Sequence, residues 1–276
     1  MRVLASTLRL ALVGGVAATA IAATLATPVH AAGQSTVEVR KVGVQLELVY
    51  TGSTDANDVL ISTDATGAIV LSDSVPVVSR DTGCANLPGN NKIVRCSKGI
   101  ARLVATLGDG ADKFNSQVAF IGTVAGGGGN DTFLLGRITG SQPSAVVYGG
   151  GTGEDTADYS LSDSAAGVRV SLDRVGNDGR PAAGGRAADR DDIRVENITG
   201  SPFADLLTGD GAANRIEGRR GGDTIRAGGG NDSVLAQDGV ADLTVDCGDG
   251  GTDRFQADTT DRPVSCEERI PAGSTR

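Results

Sequence analysis

Aliphatic residues recur on a nine-residue period between residues 200 and 235. When this stretch is divided into four consecutive units from Gly200, the eighth position is always aliphatic: Leu207, Ile216, Ile225 and Val234. The sixth position is an acid or its amide: Asp205, Asn214, Asp223 and Asp232. A solvated linker has no need of phased aliphatic residues, so the pattern predicts one short strand per unit with one buried side chain. Nine residues make half a coil, and units eighteen residues apart are therefore expected to stack.

The same glycine and aspartate pattern occurs less regularly before and after this block. Residues 126–131 and 150–155 carry complete copies, whereas residues 108–114 fit only in their last positions. The aspartates that close these copies are separated by 19 and then 24 residues: Asp112, Asp131 and Asp155. Beyond residue 235 the phase slips, and three aspartates begin degenerate units: Asp242, Asp253 and Asp261. Stacking is therefore expected outside 200–235 too, but with insertions between the coils.

The residues that precede the repeats have the pattern of a small β domain. One set of apolar residues alternates strictly with other residues, as in a strand with one buried face: Val42, Val44, Leu46, Leu48 and Tyr50. Residues 58–62 and 68–72 flank the turn sequence at 64–67, which predicts a hairpin. A further stretch, 158–199, interrupts the glycine pattern, and its Gly/Ala/Arg-rich part at 176–190 is interpreted as a mobile loop.

Together these patterns predict an all-β protein. The expected segments are a signal peptide at 1–31, an N-terminal β domain at 32–106, a first repeat block at 107–157, an inserted β segment and loop at 158–199, a regular repeat block at 200–235, and degenerate repeats with a C-terminal cap at 236–276.

The first residues have the features of an export signal. Arg2 and Arg9 precede an apolar run from residue 10 to 26, and Val29-His30-Ala31 provides a small-x-small cleavage site. A membrane anchor is the alternative, but an Ala/Gly/Thr-rich run of about 17 residues is marginal for spanning a bilayer. We therefore expect cleavage after Ala31, secretion to the extracellular space, and no membrane span in the mature chain.

Charge and composition narrow the possible functions. The formal net charge is -9, and without Arg2 and Arg9 the 25 basic residues become 23 against 34 acidic ones, a net of -11. This balance disfavours nucleic acid and anionic membranes as partners and favours cations. The single histidine, His30, would leave with the signal, which excludes a Ser-His-Asp triad and a His-ligated zinc or iron site in the mature chain.

Four cysteines remain after the signal: Cys84, Cys96, Cys247 and Cys266. In an exported protein an even number indicates disulfides, and three pairings are possible. The local pairs Cys84–Cys96 and Cys247–Cys266 are favoured because each lies within one segment. The second pair would pin an atypical last coil that caps the end of a stacked core.

The repeats have the residue types that calcium requires. Calcium takes six to eight oxygen ligands, and backbone carbonyls serve as well as carboxylates. A Gly-rich turn can curl its carbonyls inward, and stacked aspartates without an ion would repel one another, so folding is expected to depend on the metal. The candidate ligands are Asp112, Gly127, Gly129, Asp131, Gly151, Gly153, Asp155, Asp205, Asn214, Gly221, Asp223, Gly228, Gly230, Asp232 and Asp253.

The complete copies at 126–131 and 150–155 resemble the hemolysin-type, RTX-like calcium-binding repeats. Within that family the chain is similar to small exported bacterial proteins that carry an N-terminal β domain. The resemblance implies a right-handed parallel β-roll with Ca²⁺ in its turns. Three departures stand out: Asn214 replaces the acid, and Arg219 and Arg220 occupy turn positions that are usually glycine or small. The first is expected to lower the charge of its site and its affinity, and the others either to strain their turn or to weaken its binding.

Three functional classes follow from these observations. The favoured one is a secreted, non-catalytic calcium-binding protein with a structural or interaction role and an unidentified extracellular partner. The second is a calcium-dependent adhesin or matrix component. The third, less favoured, is a β-solenoid polysaccharide lyase or epimerase, because an aromatic-lined sugar groove is hard to build from three Tyr and five Phe. No G-x-S-x-G, H-E-x-x-H or P-loop pattern occurs in the sequence.

Overall fold

The computed structural model describes residues 33–139 and 141–271, so the predicted signal at 1–31 lies outside the described residues. The described chain is all-β, as predicted, with strands β1 to β23 arranged in three open sheets. Within the same residues, no helix has the length and apolarity needed to cross a membrane.

The strands are numbered in chain order, and each sheet is described from one edge to the other. Sheet A contains β15 (Asp192–Arg194), β12 (Ala145–Thr152), β10 (Ile121–Gly128), β8 (Ile100–Asp109), β2 (Gln45–Thr51), β1 (Ser35–Val42) and β5 (Val77–Ser79). Sheet B contains β23 (Glu268–Arg269), β22 (Arg254–Gln256), β20 (Ser233–Leu235), β18 (Arg215–Glu217), β16 (Asn197–Thr199), β13 (Thr156–Asp158), β11 (Thr132–Leu134), β9 (Lys113–Ser116), β3 (Asp58–Thr63), β4 (Ala68–Ser72), β7 (Asn90–Lys98) and β6 (Cys84–Leu87). Sheet C contains β14 (Arg169–Ser171), β17 (Leu206–Thr208), β19 (Thr224–Arg226) and β21 (Thr244–Asp246).

From β8 to β22 each strand lies in a different sheet from the strand before it, and the neighbours within each sheet run parallel. In the regular block, Leu207 lies opposite Ile225 and Ile216 opposite Val234. The eighteen-residue register predicted from the sequence is therefore confirmed. Because a three-residue strand turns only its central side chain inward, each unit contributes one residue to the core.

The core is a set of inward-facing rows that continue from coil to coil. In sheet B one row links residues in direct register: Val59, Phe114, Phe133, Ala157, Ile198, Ile216, Val234 and Phe255. Sheet A contributes Tyr148, whose ring centroid lies 5.5 Å from that of Phe133 and 6.3 Å from that of Phe114. Aromatic side chains thus fill the core around Phe114 and Phe133, aliphatic ones fill it from Ala157 to Val234, and Phe255 ends the row.

The N-terminal region joins this core directly. β2 and β8 pair in parallel, and β8 crosses the position where the sequence analysis placed a domain boundary, residue 106. One hydrophobic cluster extends from Val37 to Cys247. The predicted hairpin over 58–72 is confirmed by the antiparallel pairing of β3 and β4.

Two local predictions need correction. The single strand predicted from Val42 to Tyr50 is wrong at its start, because the chain turns at Gly43, and Val42 and Val44 lie exposed at the hairpin tip. The mobile loop predicted at 176–190 is anchored by a buried ion pair between Arg180 and Asp189, with Nε and Oδ2 2.7 Å apart. Both disulfides that the sequence favoured, Cys84–Cys96 and Cys247–Cys266, are present in the structure.

Candidate metal centre

Two columns of polar side chains run along the stacked turns. In each column, with one exception at Asn214, a side-chain oxygen accepts a hydrogen bond from the backbone N–H of the equivalent residue one coil earlier. Asp131 Oδ1 accepts from the Asp112 N–H at 2.9 Å, and Asp155 Oδ1 accepts from the Asp131 N–H at 2.8 Å. The long column consists of Asn57, Asp112, Asp131, Asp155, Glu196, Asn214, Asp232, Asp253 and Glu267. The short column consists of Asp205, Asp223, Asp242 and Asp261.

The second carboxylate oxygen of most of these aspartates has no hydrogen-bond partner among the described residues. Six buried Oδ2 atoms are in this state: those of Asp112, Asp131, Asp155, Asp223, Asp232 and Asp242. Apart from Asp242, which is partly buried, these residues are at most 2% exposed. A buried unsatisfied polar group costs about 1–3 kcal/mol, and more when it is charged. Each column therefore holds several buried carboxylates whose negative charge is uncompensated, and a bound cation or a proton would remove this energetic cost.

The pKa values of these carboxyl groups are displaced accordingly. Burial, followed by the charge of Asp112, raises the pKa of Asp131 to about 6. Burial and the neighbouring column members raise the pKa of Asp223 and of Asp242 to about 7. Burial likewise raises the pKa of Asp232 to about 6. Each shift means that the ionised form is disfavoured while the protein alone surrounds it.

The turns that carry these aspartates stack so closely that several of their glycine positions have no room for a Cβ atom. Gly127 and Gly151 have φ of 120° and 121°, in the left-handed region that glycine adopts readily. A Cβ on Gly127 would collide with the carbonyl oxygen of Gly108, and a Cβ on Gly151 would collide with that of Gly127. The predicted ligand glycines Gly129, Gly153, Gly221, Gly228 and Gly230 also have positive φ. The glycine pattern therefore reflects backbone carbonyls packed coil against coil.

Three of the unpartnered carboxylate oxygens, those of Asp131, Asp155 and Asp223, lie over the first glycine of their own turns. A Cβ on Gly126 would collide with Asp131 Oδ2 and would lie close to the carbonyl oxygen of Gly150. A Cβ on Gly150 would likewise collide with Asp155 Oδ2. A carboxylate and a carbonyl oxygen thus approach one small space that only glycine leaves open. Oxygen donors of these two kinds are the ligands that hard cations such as Ca²⁺ take, so the residues present fit the ion.

Asp205 and Asn214 differ from the six aspartates with a free Oδ2 because the chain itself satisfies their side chains. Asp205 Oδ1 accepts from the Val168 N–H and the Ser201 hydroxyl, and its Oδ2 accepts from the Ser201 N–H. Asn214 Oδ1 accepts from the Asp210 N–H at 2.8 Å, and its Nδ2 donates to the Glu196 carbonyl at 2.9 Å. An amide can donate this second bond and a carboxylate cannot, which explains why this position holds Asn rather than Asp.

Arg219 occupies a turn position that is glycine at Gly127, Gly151 and Gly228 but is Ser201 and Asp210 in two other turns. Its φ is 71°, and Arg174 and Ser265 are the other non-glycine residues with positive φ in the described chain. A left-handed conformation is unfavourable for a residue with a Cβ, so this turn carries the strain expected from the sequence. The neighbouring Gly221, with φ 139°, retains the glycine conformation.

The structure adds acids that the sequence analysis did not include among the candidate ligands. Asp242 and Asp261 extend the short column, whereas Glu196 and Glu267 lie in the long one. Asp242 follows Asp223 by 19 residues, one residue off the regular register, which hides it from a strict nine-residue search. Within residues 33–139 and 141–271, no three His, Cys, Asp or Glu side chains cluster as a metal-binding group.

No protein-family model matches this chain, and no curated protein matches it. The resemblance to the hemolysin-type repeats therefore rests on the quoted residues alone and stays a prediction. What the geometry provides is one acid or amide at each turn of the two columns, and the free oxygen of Asp131 lies beside the Gly150 carbonyl of the adjacent turn. Such a site would draw few carboxylates and many backbone oxygens to each ion.

Proposed function

We propose that this is a secreted calcium-binding protein whose repeats fold into a calcium-stabilised, right-handed parallel β-roll. Its role is structural or interactive and involves no catalytic step. The observation that carries the proposal is the set of six buried, unpartnered Oδ2 atoms arranged at coil intervals in two columns. Their regular position argues for one recurring ligand rather than six unrelated irregularities.

Calcium suits this arrangement better than other common ions. It accepts irregular sets of six to eight oxygens at 2.3–2.6 Å, including backbone carbonyls. Magnesium demands near-ideal octahedral geometry and gives up its water reluctantly, so a site built largely from peptide oxygens suits it poorly. The chain's net charge of -9 adds a general attraction for cations.

The proposed ligands fall into two groups. The aspartates with a free second oxygen would hold ions together with the carbonyls of stacked turns: Asp112, Asp131, Asp155, Asp223, Asp232 and Asp242. Asp205 and Asn214 would contribute less, because their side-chain oxygens are already engaged by Ser201 and Asp210. The ion would neutralise each column and hold its carboxylates ionised, which couples binding to folding.

The test is a calcium titration of the predicted exported form, residues 32–276, followed by far-UV circular dichroism and thermal melting, with magnesium as control. A transition to β-structure or a large rise in Tm with calcium alone is expected. Extracellular calcium modules bind at about 10⁻⁴–10⁻³ M, so the absence of any response at about ten times that upper value would overturn the proposal.

A further inference from the structure

A groove lies on the outer face of sheet B at its C-terminal end. It has a volume of about 490 Å³, within the range of ligand sites. Its floor is formed by the outward side chains of β18, β20 and β22, where Arg215, Ser233 and Arg254 lie side by side in register. These strands turn Ile216 and Val234 inward, so the groove is separate from the core and from the carboxylate columns.

The groove is basic, although the chain as a whole is acidic. Arg215, Arg219 and Arg254 line it together with a single acid, Glu217. A second cavity of about 370 Å³ shares Glu217 and Arg219 and adds Arg220 together with one further acid, Asp238. The lining of the groove itself carries three guanidinium groups against one carboxylate, in a chain with a formal net charge of -9. Such a local reversal of sign favours an anionic ligand.

The guanidinium groups are available for that ligand. The Arg219–Glu217 and Arg254–Glu268 pairs are separated by 3.6 Å and 3.5 Å, longer than a charge-assisted hydrogen bond. All four of these side chains keep a third or more of their surface exposed. Among the described residues, the Arg215 side chain makes no ion pair or hydrogen bond, and it too is exposed. Exposed and loosely paired arginines can exchange these contacts for a bidentate partner.

Arg219 gives an independent reason to assign a role to this groove. It holds a left-handed backbone conformation that glycine would hold without strain, and glycine occupies this position in the turns at Gly127 and Gly151. Strain of this kind is typically kept where the side chain serves a function. Here the side chain that replaces glycine reaches the wall of the groove beside Glu217.

We propose that this groove binds an acidic glycan, with its arginines pairing to carboxylates of uronate residues. The guanidinium fork matches a carboxylate in a bidentate manner. The other lining groups, Ser233, Gln237 and Gln256, can donate and accept hydrogen bonds to sugar hydroxyls. Arg215 and Arg254 are two strands apart, or about 9.6 Å between backbones at the usual strand spacing, which suits an extended polyanion lying across the strands.

The experiment measures binding of a short oligogalacturonate to the exported protein by isothermal titration calorimetry in calcium-containing buffer. Replacement of Arg215→Gln or Arg254→Gln is expected to weaken binding about tenfold each, the effect of one lost charged hydrogen-bonding partner. Arg226→Gln is the matched control, because Arg226 is exposed on sheet C outside the groove, and it should leave affinity unchanged. Equal losses in all three variants would indicate nonspecific attraction and overturn the proposal.

Further ligands and one more variant make the test specific. A fully methyl-esterified oligogalacturonate should not bind, whereas tighter binding of poly-glutamate or single-stranded DNA would overturn the choice of a glycan. Arg219→Gly should raise Tm, because the strain is relieved, and yet weaken glycan binding. A Tm gain with unchanged affinity would remove Arg219 from the site. If the glycan contacted the protein only through bound calcium, its affinity would be the same in Arg215→Gln and Arg254→Gln as in the unchanged protein. That outcome would also overturn the proposal.

Discussion

Replacing Asp131 by Asn should have opposite effects on stability with and without calcium. Asp131 is 1% exposed, its Oδ1 accepts from the Asp112 N–H, and its Oδ2 has no partner. The amide keeps the first bond and removes an uncompensated buried charge. In chelator the variant should therefore be more stable by about 1–3 kcal/mol, the usual cost of an unsatisfied buried group. For a chain of this size that corresponds to a Tm increase of about 2–12 °C.

In saturating calcium the sign should reverse. Asn supplies one neutral oxygen where Asp supplies a charged one, so the variant would lose part of the binding free energy that stabilises the fold. Thermal melting at pH 7.5, with chelator and then with calcium, measures both effects on the same sample. Asp205→Asn is the matched control. Because both oxygens of Asp205 already accept hydrogen bonds, this change should destabilise the protein in both conditions. Destabilisation by Asp131→Asn in both conditions would refute the reasoning.

Three further predictions concern the metal-free protein and its packing. Because burial raises the pKa of Asp223 and of Asp242 to about 7, each binds its proton more tightly in the folded chain than in the unfolded one. Chemical unfolding in chelator should therefore show that the contribution of these two groups to the free energy of unfolding is fully present below pH about 4 and is lost as the pH rises towards 7. A free energy of unfolding that does not change over this pH range would contradict the prediction. Gly127→Ala should lower Tm and calcium affinity because its Cβ would meet the Gly108 carbonyl; an unchanged melt would count against the stacking. Ile225→Ala should cost about 2–5 kcal/mol in chemical unfolding, and a cost below about 1 kcal/mol would contradict its full burial.

The register of the coils could be predicted from the sequence, but the state of each acid could not. A fixed period determines which residues stack, so the pairing of Leu207 with Ile225 follows from counting alone. Whether a carboxylate is satisfied depends on side chains elsewhere in the turn, such as Ser201 beside Asp205. Asp242 lies one residue off the period because an irregular turn precedes it, and only the pairing across coils places it in the short column.

Patterns of alternation were less reliable in the N-terminal region. Val42 and Val44 continue the apolar alternation of β2, yet they lie at an exposed hairpin tip, because a positive φ at Gly43 allows the chain to reverse there. The order of residues 176–190 could not be predicted from composition either. These residues have a loop-like composition, but Asp189 binds Arg180 in the protein interior. A single buried ion pair of this kind leaves no periodic signal in the sequence.

The hydrogen bonds along the columns run in one direction along the chain, so each coil depends on the coil that follows it. Apart from the step between Glu196 and Asn214, each column residue donates its backbone N–H to an acid that comes later in the chain, as Asp232 does to Asp253 and Asp242 to Asp261. A coil is therefore completed only by its successor, and the last acids stand beside the disulfide-linked Cys266. Deleting the final coil would leave the preceding N–H groups unsatisfied and should loosen the stack progressively backwards.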